Sequence, residues 1–166
     1  FAYGTAFIEY NFGDSERFTI GVDYVPGTAD VNNKSLSRTD VTADASEANQ
    51  QDGTRTANAE ISDHITYYAE LVLVEGFYVK AGIAQVDIKT KDSYTTGTYG
   101  TYPDKTLDAT IFGLGVKGDL GDGNLFYKLE GTYHDYDTFS ATSTTSNTVS
   151  ASLDGYNGKL AIGMKF

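Results

Sequence analysis

Two histidines are the residues best placed to do acid–base chemistry in this chain. His64 follows Asp63, and His134 sits inside "YHDYD" at 133–137 with Asp135 and Asp137 close by. An imidazole beside a carboxylate is a recognisable proton-transfer arrangement, but it works only when the groups converge on one point. Both stretches read as extended chain, where neighbouring side chains leave opposite faces. Asp63 and Asp135 are therefore directed away from the imidazoles beside them, and the histidines are assigned to a polar rim, with no catalytic residue. "DLGDGN" at 119–124 has the acidic and glycine content of a calcium loop without its alternating ligands or closing Glu, so a tight hairpin accounts for it. The chain has no cysteine, which removes disulfides, thiolate metal sites and thiol nucleophiles. No metal and no cofactor are expected. A net charge of −11 with no cluster of Lys and Arg argues against nucleic acid as a partner.

A more regular set of charges remains: Glu9, Asp23, Glu70, Lys80, Lys117, Lys128, Glu130 and Lys159. These sit within seven segments that alternate with period two, roughly 2–12, 18–26, 61–74, 77–88, 108–120, 125–137 and 151–166. Thirteen Tyr, nine Phe and eighteen Gly against two Pro fit strands joined by turns. In the first segment Ala6, Ile8, Tyr10 and Phe12 share one face and Thr5, Phe7, Glu9 and Asn11 the other. The other segments also keep charge to one face, although Val86 and Ile88 fall on the polar side of theirs and suggest a bulge there, or a strand end above the apolar band. Glu9, Asp23, Glu70 and Glu130 against Lys80, Lys117, Lys128, Lys159 and Lys165 leave +1, so −12 of the total of −11 lies in loops, turns and strand ends. Glu9, Glu70, Lys80, Lys117 and Lys128 all stand about four residues from a tight turn, which predicts one layer of charge. Glu70 and Lys80 are symmetric about Glu75 and become cross-strand neighbours. Lys117 and Lys128 also face each other, a like-charge pair that needs Glu130, Glu9 or Glu70 nearby.

Connections alternate too. Short turns at 13–17, 75–76 and 121–124 sit at one end, and long polar stretches at 27–60, 89–107 and 138–150 at the other. A soluble sandwich or lipocalin-like barrel would turn the apolar face inward, whereas a membrane barrel turns it to lipid. Short turns at one end with long loops at the other, and aromatics near the strand ends, favour the membrane. The expected girdle is Tyr10, Phe12, Phe18, Tyr24, Phe77, Tyr127 and Tyr133. No apolar run approaches the roughly 20 residues of a spanning helix, and Phe1 opens directly on a strand pattern without a signal-peptide pattern.

The chain ends "YNGKLAIGMKF", with Tyr156, Leu160, Ile162, Met164 and Phe166 on the apolar face. This ending resembles the C-terminal assembly signal of bacterial outer-membrane proteins, and the whole pattern is similar to small barrels of the OmpX and OmpA membrane-domain class. The resemblance implies an all-β fold, an antiparallel up-and-down transmembrane β-barrel formed by residues 1–166 as one domain in the bacterial outer membrane. The three long stretches become extracellular loops. Implied partners are outer-membrane lipid and lipopolysaccharide, the barrel-assembly machinery, and a surface ligand, phage or neighbouring protein reached through the loops. The implied role is non-enzymatic: structural, adhesive or surface recognition. A small porin for ions or solutes and a soluble lipocalin-like binder are the alternatives; some similar barrels are acyltransferases or proteases. Eight strands are expected with seven in this chain, because single-chain bacterial barrels have even strand numbers. The first strand is expected upstream of Phe1 or from another polypeptide.

Overall fold

The computed structural model describes residues 3–13, 16–30, 36–41, 52–94, 101–144, 146 and 148–166. Among the described residues ten strands run in chain order: β1 (Ala6–Phe12), β2 (Phe18–Asp30), β3 (Leu36–Val41), β4 (Asp52–Val74), β5 (Phe77–Tyr94), β6 (Lys105–Asp119), β7 (Leu125–Tyr136), β8 (Phe139–Thr142), β9 (Thr148–Ala151) and β10 (Asp154–Met164). Seven of them form one antiparallel meander, β1-β2-β4-β5-β6-β7-β10, with β3 added along the upper half of β4 and β8-β9 forming a separate hairpin. The sheet is curled into an open half-barrel whose first and last strands are its free edges.

The three short connections lie at one end, and each uses a glycine with positive φ: Gly13 (70°), Gly76 (73°) and Gly121 (71°). Gly76 shows why. A left-handed backbone strains any residue with a Cβ, and a Cβ here would also stand 2.7 Å from the Lys117 carbonyl oxygen. The Lys117 amide donates to the Gly76 carbonyl, so this turn docks on the neighbouring strand.

Period-two alternation sorts side chains as an inverted globular protein would. The convex face exposes Ile8, Ile83, Leu114, Leu160 and Ile162, whereas Glu70, Lys80, Lys128 and Glu130 on the concave face are at most 6% exposed. Toward the short-turn end the meander strands follow this rule; β7 alternates without a break from Leu125, out, to His134, in.

Three expectations need correction. The 27–60 stretch is not simply a loop: β2 continues to Asp30, β3 occupies Leu36–Val41 and β4 begins at Asp52. Likewise, β5 runs to Tyr94 and β6 starts at Lys105 within 89–107, and β8 and β9 form a hairpin within 138–150. Residues 31–35, 42–51, 95–100, 145 and 147 of those stretches lie outside the described residues. Finally, the irregularity suggested for β5 belongs to β4. Ser62 pairs with Asp87 and Ile65 with Gln85, with Asp63 at φ 51° in the resulting bulge. Val86 and Ile88 keep the inward phase of β5 and pack with Leu107, Ala59 and Ile61 as an apolar cap over the interior.

Candidate functional site

The interior of the curl gathers charges of both signs. Glu70 pairs with Lys80 across β4 and β5, as the symmetric spacing requires, and Lys117 pairs with Lys128 across β6 and β7. Ion pairing then departs from the ladder. Lys80 Nζ reaches Glu130 Oε1 at 2.8 Å, two strands away, instead of Glu70 beside it. Lys128 donates to both Glu9 and Glu70, from opposite sides of the interior. Lys117 lies 3.8 Å from Glu70 and donates to the Thr19 hydroxyl at 3.3 Å. Lys159 closes the set on Asp23. The like-charge neighbours are therefore separated by shared carboxylates, and Glu130 is committed to Lys80.

Tyrosines complete the layer. Tyr68 donates to Glu9 at 2.7 Å and Tyr78 to Glu130 at 2.9 Å, while Lys80 Nζ sits 3.6 Å from the Tyr68 ring centroid and Lys128 Nζ 4.9 Å from that of Tyr78. Both rings lie flat over glycines on adjoining strands. A Cβ on Gly21 would come within 2.5 Å of the Tyr68 ring, and one on Gly115 within 2.6 Å of Tyr78. The glycines of the polar face are thus seats for aromatic rings that fill the space. All eight residues expected in the charge network point into this layer; Lys165 does not. It lies past the end of β10, 3.0 Å from Asp119 and 3.4 Å from Glu16, as a clamp between turns.

Above the layer, toward the long-loop end, is a cavity of about 420 Å³ lined by Tyr3, Val25, Ile61, Ser62, His64, His134 and Tyr136 among others. His64, just below the bulge, keeps the inward phase of Thr66, Tyr68 and Glu70, and its ring centroid stands 5.7 Å from that of His134. Alternation places both histidines on the polar face; that they meet across the interior is set by the curl of the sheet. His134 Nε2 meets the Thr132 hydroxyl at 3.1 Å, but His134 Nδ1, His64 Nε2 and the Ser62 hydroxyl have no hydrogen-bond partner among the described residues. Asp63 is exposed and accepts instead from the Tyr24 hydroxyl at 3.3 Å, and Asp135 is exposed on the convex face. Neither adjacent carboxylate is paired with its histidine, so no proton relay is assembled from these residues. "DLGDGN" forms the β6–β7 turn, closed by the Leu120 amide on the Leu125 carbonyl at 2.8 Å. Among the described residues no three acidic or histidine side chains gather in a metal-binding group.

The expected girdle residues Tyr10, Phe12, Phe18, Tyr24, Phe77, Tyr127 and Tyr133 all fall on the convex face. Tyr10, Phe12 and Phe18 stack in sequence at the short-turn end, with centroids 4.9 and 5.4 Å apart. Tyr133 meets Tyr156 at 5.0 Å toward the other end. Past this second group the convex face changes character, presenting Asp63, Gln85, Asp87, Asp108, Asp135 and Asp154 on five strands. Tyr156, Leu160, Ile162, Met164 and Phe166 are all exposed on the convex side of the last strand. No family model, curated protein or solved structure matches the chain.

Proposed function

We propose that the chain is the wall of a bacterial outer-membrane β-barrel, with its convex face in lipid, its short turns at the periplasmic side and its long connections at the cell surface. The observation that carries this reading is the inversion of the sheet. Large apolar side chains line the outside of the seven meander strands toward their short-turn end, and paired lysines and carboxylates fill the inside. In water this arrangement would expose a broad apolar face and bury charges at a desolvation cost of several kcal/mol per ion. In a bilayer each side meets the medium that suits it. The change from aromatic to acidic residues along the convex face gives the apolar band an upper limit, as an interface requires.

The role proposed is non-enzymatic: a structural or adhesive surface protein whose long connections recognise a ligand, phage or neighbouring protein while the barrel holds them. Lipopolysaccharide and outer-membrane lipid would surround the wall, and the terminal Tyr156–Phe166 pattern would address it to the barrel-assembly machinery. The tyrosines and ion pairs that occupy the interior favour this over a porin. Exposure of the apolar face favours it over a lipocalin-like binder, whose apolar face would line the cavity. Refolding into phospholipid vesicles, washing with carbonate and flotation on a density gradient test the reading. The protein should float with the vesicles, with external protease cutting within 27–60, 89–107 or 138–150 and sparing 61–88 and 108–137. A monodisperse protein without detergent that leaves the vesicles on washing would overturn it.

A further inference from the structure

Among the described residues five buried side-chain atoms have no hydrogen-bond partner: Asp23 Oδ1, Ser62 Oγ, His64 Nε2, Glu70 Oε2 and His134 Nδ1. Buried polar atoms are paired in nearly all native structures, so such a group calls for an explanation. Glu70 Oε2 lies 3.8 Å from Lys117 Nζ within the charge layer. The other four gather at the mouth of the curl. Ser62, His64 and His134 line the cavity of about 420 Å³, and Asp23, His64 and His134 line a recess of about 20 Å³ that adjoins it through shared walls at Tyr3, Val25 and Asn157. The sheet is reshaped at this height. Val25 pairs with His64 and Thr28 with Ser62, which leaves Pro26 and Gly27 opposite Asp63, with Gly27 at φ 104°. Irregularities of this kind bend a strand and re-aim its side chains, and they recur beside functional sites.

The chemistry of the four atoms limits what can meet them. They do not share a metal ion, because among the described residues no three acidic or histidine side chains stand close enough to hold one. No charge is left over for an ion either. Asp23 is paired through its other oxygen with Lys159, Lys80 is paired with Glu130, and a histidine is ordinarily neutral at pH 7. Hydrogen bonding remains. Asp23 Oδ1 only accepts, the Ser62 hydroxyl donates and accepts, and each neutral imidazole has one nitrogen of each kind. A set of hydroxyl groups answers all of these, since each hydroxyl can donate to one atom and accept from another. The recess has room for about one water. The larger cavity is ill suited to water alone, because Val25, Pro26, Ile61 and the rings of Tyr3 and Tyr136 form much of its wall. Tyr136 stacks on His134 with centroids 6.0 Å apart and planes 18° from parallel, and Tyr3 shares a side-chain hydrogen bond with Asn157, so both rings are held in place.

We infer that the mouth cavity binds an uncharged polyhydroxylated ligand the size of a single sugar ring, with Ser62, His64 and His134 meeting its hydroxyls and Tyr3 and Tyr136 covering its apolar C–H face. The volume lies within the range of small-molecule sites, about 300–1,000 Å³, and the division of labour is theirs too: apolar and aromatic walls supply contact while a few polar groups fix orientation. Asp23 Oδ1, in the recess below, takes a hydroxyl proton directly or through the one water that fits there. A free monosaccharide and the end ring of a glycan present the same chemistry to this site. The inference needs the concave side of the sheet alone, so it stands apart from the question of whether the convex face lies in lipid.

The chain has two histidines and both line this cavity, so imidazole resonances of histidine-labelled protein report on the site alone. Protein in phosphocholine micelles, whose head groups carry no sugar, is titrated with glucose, galactose, mannose and N-acetylglucosamine, with glucuronate, zinc ion and cyclohexanol as charged, metal and single-hydroxyl probes, and with lactose and chitobiose. The inference expects saturable shifts of both imidazoles with at least one neutral monosaccharide and none at the same concentration with glucuronate, zinc or cyclohexanol. Ser62→Ala and His64→Phe should each weaken that binding about tenfold, as loss of one hydrogen bond to the ligand does. Ser62→Ala should also leave the unliganded protein as stable as before or more so, because it removes a buried hydroxyl that has no partner, an outcome that a purely structural role for Ser62 would not give. Disaccharides binding no tighter than the monosaccharide assign a free sugar, and tighter ones a glycan end. No saturable shift with any saccharide, a preference for glucuronate or zinc, or unchanged affinity in both variants overturns the inference. Vesicle flotation is untouched by each of these results, so this site and the membrane reading fail separately.

Discussion

At the residue scale, Lys128 is the side chain on which the interior depends most. It is 4% exposed, donates to Glu9 and Glu70 together, and stands beside Lys117 in the ladder. Lys128→Met leaves two buried carboxylates with one distant cation between them, and removing one member of such a group costs about 3–5 kcal/mol. Denaturant unfolding from micelles should show that loss, whereas Lys165→Met, at an exposed clamp, should change little. The raised affinity of Lys165 for its proton, due first to its hydrogen bond with Asp119, sets the sign of a small pH effect. Its contribution is complete below the ordinary lysine pKa of about 10.4 and disappears as pH rises through the higher folded value. Gly115→Ala drives a Cβ into the Tyr78 ring and the Leu129 carbonyl, 2.6 and 2.7 Å away. It should cost about 1–3 kcal/mol by the same assay, and Gly131→Ala, with open space around it, much less.

At the element scale, strands were readable wherever their two faces meet unlike surroundings. Ile8, Val22, Tyr67, Leu114 and Leu129 stand out against the polar residues between them, so the lower halves of β1, β2, β4, β6 and β7 are plain in the sequence. β3 and the upper part of β4 were not, because "LSRTDV" and "DGTRTA" carry no run of apolar residues at alternate positions. Composition could also place the charges at one height but not choose their partners. Lys80 passes over Glu70, its ladder neighbour, to reach Glu130, a choice made by curvature that spacing does not encode. The bulge at Asp63 was hidden for a similar reason: one extra residue shifts the register of the strand above it without altering composition. The convex face makes a prediction of opposite sign for the two folds. Leu114→Arg and Leu160→Arg should each destabilise the vesicle-inserted protein by up to about 2–4 kcal/mol, depending on depth. Both should be near neutral if the convex face is in water.

For the whole molecule, the interior pairs cancel, so the net charge of −11 resides at the two ends of the strands and in the connections. A barrel of the eight strands expected from the sequence would enclose only enough room for its own side chains. In planar bilayers the protein should therefore give no reproducible conductance steps, and regular steps would favour the porin reading. The central claim, that the convex face lies in lipid, is open to a more direct measurement because the chain has no cysteine of its own. Single cysteines replacing Ile83, Leu114, Leu160, Asp108 and Asp135 can each carry a nitroxide in vesicle-inserted protein, with collision rates read for oxygen and for a water-soluble nickel chelate. The account predicts high oxygen and low nickel access at Ile83, Leu114 and Leu160, with the ratio reversed at Asp108 and Asp135. High nickel access at all five positions would place the apolar face in water and contradict it.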